Sequence, residues 1–142
     1  MLIMATPAVA SGSLVATFVI GHANYTLNGQ IVTMDAAPYI SNGRTLIPVR
    51  YLADILNAQT NWDGNAHTVT VTGGSTTIKF VIGNTTMTVN GQPSHMDTAP
   101  VINNGRTYLP ARYVAEALGT TVNWDAPSQT VAITSATIKP AI

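Results

Sequence analysis

No cysteine occurs anywhere in the 142 residues. That absence excludes a disulfide framework and a thiolate metal site. Charge is scarce as well. Asp, Glu, Lys and Arg together supply 8% of the chain, six basic and six acidic, for a formal net charge of +0; globular domains usually carry about 25%. Without a basic excess there is no field to draw in nucleic acid or an anionic membrane. No apolar run is long enough to span a bilayer. What remains is a hydrophobic fraction of 46%, ample for a core, with a polar surface that must come from Thr, Asn, Ser and Gln. Val, Ile and Thr are abundant, and these branched residues favour strands. A surface so poor in charge has little repulsion to keep molecules apart.

The chain opens on an apolar stretch, MLIMATPAVA. Ala8-Val9-Ala10 has the small-x-small form of a signal-peptidase site, but no basic residue precedes it. Two readings stand: a secretion-signal remnant, or a retained apolar strand. The strand is the preferred one. A second spare apolar end, ATIKPAI, closes the chain.

Between these ends the sequence repeats with a period of 62, from Asn28-Gly29-Gln30 to Asn90-Gly91-Gln92 and from Asn42-Gly43-Arg44-Thr45 to Asn104-Gly105-Arg106-Thr107. Pro48 and Arg50-Tyr51 return as Pro110 and Arg112-Tyr113, and Asn61-Trp62-Asp63 as Asn123-Trp124-Asp125. Among charged residues only Lys79 and Lys139 lack a counterpart of the same sign. The pattern implies a duplication and divides the chain into an N-terminal apolar segment (1–16), a first repeat (17–74), a second repeat (75–136) and a tail (137–142). About five residues, Gly73–Thr77, separate the repeats. A link that short favours close contact and leaves strands open to exchange between the copies.

Turn residues and periodicity predict the elements. Thr17–Ile20 and Tyr25–Leu27 read as strands around a turn at Gly21, with Ile78–Ile82 and Thr86–Val89 as their copies. Asn28-Gly29 and Asn90-Gly91 are tight-turn dipeptides, because both residue types tolerate positive φ. Asn42-Gly43 closes a hairpin between Pro38–Ile40 and Thr45–Ile47. Pro48 then opens a helix over Val49–Leu56, where its missing N–H is harmless. Val49, Leu52, Ala53 and Leu56 make one apolar face, repeated by Ala111, Val114, Ala115 and Leu118. Asn57 and Gly119 suit a left-handed stop. Thr60–Trp62 and Thr68–Val71 complete a ββ-ββ-α-ββ unit. The expected fold is α+β, dominated by β, as two tandem repeats each of antiparallel hairpins plus one short helix.

The order N-G, D-x-x-P, N-G-R-T-x-x-P-x-R-Y, short helix, N-W-D resembles the copper amine oxidase N-terminal domain-like, or stalk, family. In this sequence it stands at Asn28-Gly29, Asp35, Pro38, Asn42–Thr45, Pro48, Arg50, Tyr51 and Asn61–Asp63, and again 62 residues later. The resemblance covers roughly 17–135. It implies an accessory surface or spacer module of secreted and cell-surface bacterial proteins, carrying neither copper nor the redox cofactor.

Each candidate site has an architectural reading beside the functional one. His22, His67 and His95 align with Asn84, Gln129 and Thr33 across the period, so no histidine is duplicated and a copper or zinc cluster is not expected. Asp35, Asp63, Asp97 and Asp125 sit at turns, where Asp caps its own backbone. Calcium in the loop of Asn61, Asp63 and Asn65 is a weaker alternative, because carboxylates are few. Arg44, Arg50, Arg106 and Arg112 suit Arg–Asp locks inside each repeat, drawing on Asp35 and Asp63 and their copies. Arg50–Asp54 and Arg112–Glu116 also lie one helical turn apart. Trp62 and Trp124 read as core residues of a sheet, with sugar stacking as the alternative.

These readings point away from an enzyme and from any cofactor. The expectation is a structural subunit of an extracellular, cell-surface assembly, a filament or surface layer, whose partner is the same chain in head-to-tail register. A donated strand, with Leu2, Ile3, Met4 and Val9 as its apolar residues, would complete a neighbour's sheet. The alternative is a module for cell-wall or other polysaccharide, through Trp62, Trp124, Arg50 and Arg112.

Overall fold

The computed structural model describes residues 14–135. In the first half β1 (Leu14–Val19), β2 (Asn24–Leu27) and β3 (Gln30–Thr33) are followed by β4 (Tyr39–Ser41), β5 (Arg44–Pro48), α1 (Val49–Ile55), β6 (Gln59–Asp63) and β7 (Thr68–Gly73). The second half runs β8 (Thr76–Val81), β9 (Thr86–Val89), β10 (Gln92–His95), β11 (Val101–Asn103), β12 (Arg106–Pro110), α2 (Ala111–Ala117), β13 (Thr121–Asp125) and β14 (Thr130–Ser135). The fold is dominated by antiparallel β-sheet with two short helices.

The sequence pattern misses β3 and β10, predicting ββ where each half has three strands. Both follow an Asn-Gly turn whose two residues have positive φ: 51° and 87° at Asn28-Gly29, 51° and 84° at Asn90-Gly91. Both lie at sheet edges. Gln92-Pro93-Ser94-His95 has no apolar alternation to betray it, and an edge is where proline is tolerated in a sheet.

Three sheets are built from both halves. One has the order β13-β14-β1-β2-β3, a second β10-β9-β8-β7-β6, and a four-stranded sheet β11-β12-β5-β4 joins the two inner hairpins. The supposed linker is a hairpin. β7 ends at Gly73, β8 starts at Thr76, and Gly73 pairs with Thr76 around Gly74-Ser75. The equivalent junction at the other end is made by distant strands, with β1 and β14 paired from Leu14↔Ser135 to Val19↔Thr130. Strands are therefore exchanged, the start of each half lying against the end of the other.

Alternation along these strands feeds a continuous core. Ala16 and Phe18 of β1 face inward with Val131 and Ile133 of β14; Ile78 and Phe80 of β8 do the same with Val69 and Val71 of β7. Phe18 is paired with Tyr25 across β2 and stacks on its ring at 4.6 Å. The helices cover this core. α1 buries Tyr51, Leu52, Ala53 and Ile55, while Val49 and Leu56 are half-buried. Its inward face is thus turned from the expected 49/52/53/56 stripe, because Tyr51 reaches back to β2 and Asp35. α2 keeps the expected Ala111, Val114 and Ala115 inside.

Both helices stop as their sequences imply. Asn57 has φ 55° and Gly119 φ 84°. The amides of Ala58 and Thr120 then donate to Ala53 and Ala115 O, and those of Asn57 and Gly119 to Asp54 and Glu116 O. This is the Schellman arrangement, which satisfies the last carbonyls of a helix.

Two outcomes follow from the exchange. Phe18→Ala should lower unfolding free energy by roughly 3–5 kcal/mol in denaturant titration. Residues 14–73 alone should be unfolded as a monomer, or folded only as a dimer in which a second copy's β7 replaces the missing partner of β1. A folded monomer by light scattering and circular dichroism would contradict this.

Candidate functional site

Two of the repeated arginines, Arg44 and Arg106, lie at opposite ends of the paired inner strands of the central sheet. Asn42-Gly43 (φ 54° and 73°) and Asn104-Gly105 (φ 54° and 77°) are the turns of its two hairpins, and positive φ at both central positions is what a tight hairpin asks for. Arg44 and Arg106 leave these turns at the starts of β5 and β12. Arg44 donates from Nε to Asp97 Oδ1 at 3.0 Å, and its Nη2 pairs with Asp97 Oδ2. Arg106 Nη2 reaches Asp35 Oδ2 at 2.9 Å. The locks therefore cross between the halves, where the sequence reading placed them inside each one. Exchange of strands explains the difference, since it brings each arginine turn beside the other half's Asp-x-x-Pro loop.

A tyrosine completes each lock. Tyr51 donates its hydroxyl to Asp35 Oδ1 at 3.0 Å and accepts from the Asp35 amide at 3.0 Å. Tyr113 donates to Asp97 Oδ1 at 2.9 Å and accepts from the Asp97 amide at 3.3 Å. In the sequence these tyrosines stand only as members of the repeated motif; their signal was the Arg-Tyr pair recurring with each Asp. The two locks are not identical. Arg44 uses Nε, whereas Nε of Arg106 is shut off from solvent without a hydrogen-bond partner.

These contacts set the charge states. The hydrogen bond from Arg106, helped by that of Tyr51, holds the Asp35 carboxyl at about 2. Arg44, then Tyr113, lowers Asp97 in the same way. Both carboxylates are ionised at neutral pH with their oxygens engaged, so neither is suited to carry a proton to or from a substrate.

The remaining candidates separate. Asp63 accepts from the amides of Asn65 (3.0 Å) and Ala66 (3.3 Å), capping its own turn as expected. Asp125 receives the Ser128 hydroxyl. Arg112 bonds Glu116 at 3.0 Å. Arg50 lies instead 6.0 Å from the centre of the Tyr51 ring, and among the described residues it makes no ion pair with Asp54. His22, His67 and His95 are exposed. Among the described residues no group of three or more His, Asp or Glu side chains is placed to hold a metal ion.

Both tryptophans overturn the core reading. Trp62 is 45% and Trp124 41% exposed. They pair with buried Val69 and Val131 and so share the inner face of their sheets. But β6 and β13 are edge strands, and no further strand lies beyond them among the described residues. Trp124 instead stands at the rim of a cavity of about 350 Å³, with Ile40, Arg44, Arg112, Tyr113 and Val122 among its walls. A smaller cavity of about 180 Å³ occupies the equivalent place in the other half, against Val49, Arg50, Tyr51 and Arg106. Leu2, Ile3, Met4 and Val9 lie outside the described residues.

The lock makes a pH prediction. Because the Asp35 carboxyl is lowered on folding, its contribution is complete above the unfolded value of about 4 and is lost as pH falls toward its folded value. Melting temperature should decline between about pH 4 and pH 2. Asp35→Asn should melt lower than the parent at pH 7, with a shallower decline across that acid window. Parallel curves would show that the lock contributes nothing there.

A sequence profile described as the copper amine oxidase N-terminal domain matches residues 26–133 in a single stretch, about three-quarters of the chain, from within β2 to within β14. No curated protein matches the chain significantly. In the oxidases this domain is an accessory one without a catalytic part. With its match running through both halves and the central sheet they share, the chain belongs to the copper amine oxidase N-terminal domain family.

Proposed function

We propose that this protein is a non-catalytic structural subunit of an extracellular assembly, built from two tandem copies of the stalk-like module and joined to its neighbours through an open sheet edge. The observation that carries the reading is β3. It is the outer strand of its sheet, and among the described residues nothing pairs with its far side. Ile31, at its centre, is 72% exposed. Soluble proteins usually blunt such an edge with charge, proline or a bulge. The equivalent β10 carries Pro93, while β3 carries Gln30-Ile31-Val32-Thr33, with neither charge nor proline. An edge of this kind accepts an extended strand through its backbone.

The donor in this scheme is the apolar N-terminal segment of the next copy, with Leu2, Ile3, Met4 and Val9 as anchors. Such a contact is head-to-tail, so it propagates unless rotation closes a ring. The low charge of the chain removes a barrier to this packing. Extracellular placement rests on the family alone. A second reading, attachment to a cell-wall glycan, is favoured by the exposure of Trp62 and Trp124.

The test is electron microscopy and light scattering of the parent, Ile31→Lys and a chain lacking residues 1–12. Ile31→Lys alters an exposed side chain and should change stability by no more than about 0.5 kcal/mol. Filaments in the parent that disappear in both variants are the expected result. Filaments that persist in Ile31→Lys would rule out β3 as the acceptor, and filaments that persist after truncation would rule out the N-terminal donor.

A further inference from the structure

The two cavities occupy equivalent places but differ in size, and residues at and near their walls differ between the halves. Where the first half has Val49 at the mouth of α1, the second has Ala111. Two methyl groups are absent there. Where the first half has Asp54, the second has Glu116, whose longer side chain reaches Arg112 at 3.0 Å. Arg112 is thereby tied along α2, whereas Arg50 lies near its neighbour's ring. The opening measures about 350 Å³ in the second half against about 180 Å³ in the first. The larger one lies in the range, about 300–1,000 Å³, that holds small ligands. Its walls extend to Trp124, and those of the smaller one do not reach Trp62.

We infer that the cavity beside Trp124 is a binding site for a neutral sugar unit of a polysaccharide, and that the first half has no equivalent. The chemistry of the walls selects the ligand. Val122, Val131 and the exposed indole of Trp124 form an apolar side. Arg44, Arg112 and Thr45 form a polar side. Both guanidiniums are already neutralised, Arg44 by Asp97 and Arg112 by Glu116, so the site offers no net positive charge to an anion. A pyranose ring has one apolar C–H face and a rim of hydroxyls that both donate and accept. The face suits the indole, and the rim suits guanidinium donors, the Thr45 hydroxyl and the carboxylates behind them. The site deepens the glycan reading given above, on which it rests, and is separate from β3, so assembly and sugar binding fail independently.

The experiment is isothermal titration of the full chain with cellohexaose and with chitohexaose, beside Trp124→Ala, Ala111→Val and Trp62→Ala. Melting curves check that each variant is folded. The expected result is binding of at least one oligosaccharide by the parent, weakened about tenfold or more by Trp124→Ala. A folded Ala111→Val, with the cavity narrowed as in the first half, should weaken it too, while Trp62→Ala should bind as the parent does. Binding unaffected by Trp124→Ala, or equally reduced by Trp62→Ala, overturns the assignment. So does the absence of binding by the parent to both oligosaccharides at millimolar concentration. Ile31→Lys is expected to retain full sugar binding even where it abolishes filaments.

Discussion

The pairing of β1 with β14 is the constraint on which the rest of the structure depends. It unites strands from opposite ends of the described chain, Leu14 with Ser135 and Val19 with Thr130. Its counterpart, β7 with β8, is a local hairpin around Gly74-Ser75. The entropic penalty of the longer loop is modest, because each doubling of length adds only about 0.6 kcal/mol, or about 4 kcal/mol over six doublings. Burial of Phe18, Val131 and Ile133 at this ladder offsets it at roughly 1.5–3 kcal/mol each. Hydrophobic contact therefore outweighs loop closure. Neither five-stranded sheet is made by one half alone.

The Arg–Asp–Tyr locks have a different role. Each spans the halves, but all their charged members are substantially exposed, and exposed pairs add little to stability. Their geometry is what matters. A planar guanidinium against a carboxylate whose other contacts come from a tyrosine fixes direction as well as distance. In a chain with so few charges, these groups align the central sheet, β11-β12-β5-β4, over the two helices.

Equivalent positions of the two halves are alike at some places and unlike at others. The locks keep the same Arg, Asp and Tyr residues in both halves. Ile31 against Pro93, Val49 against Ala111 and Asp54 against Glu116 do not. The first divergence leaves one sheet edge open and blocks the other. The second sets the smaller alanine in the wall of the larger cavity and the valine in the wall of the smaller one. A near-symmetric scaffold thus presents two unlike surfaces, one of backbone hydrogen-bonding groups and one of mixed apolar and polar side chains.

Most local elements were legible in the chain's own residues. Asn-Gly turns, Pro48 and Pro110, and the Asn57 and Gly119 stops act through backbone conformations that neighbouring residues set, so hairpins and helices were legible with few errors. β3 and β10 were not, because edge strands need no apolar alternation. The family was legible from the spacing of its turn, arginine and tryptophan residues. Only the tertiary structure decided that the Arg–Asp locks cross between halves, since residues such as Arg44 and Asp97 meet through strand exchange and not through neighbourhood in the chain. It alone placed Trp62 and Trp124 outside the core, because burial of a strand residue depends on what lies beyond its strand, and β6 and β13 have no outer neighbour among the described residues. A side chain's identity states what it prefers to touch; whether another surface arrives to meet it is fixed by how the sheets are assembled.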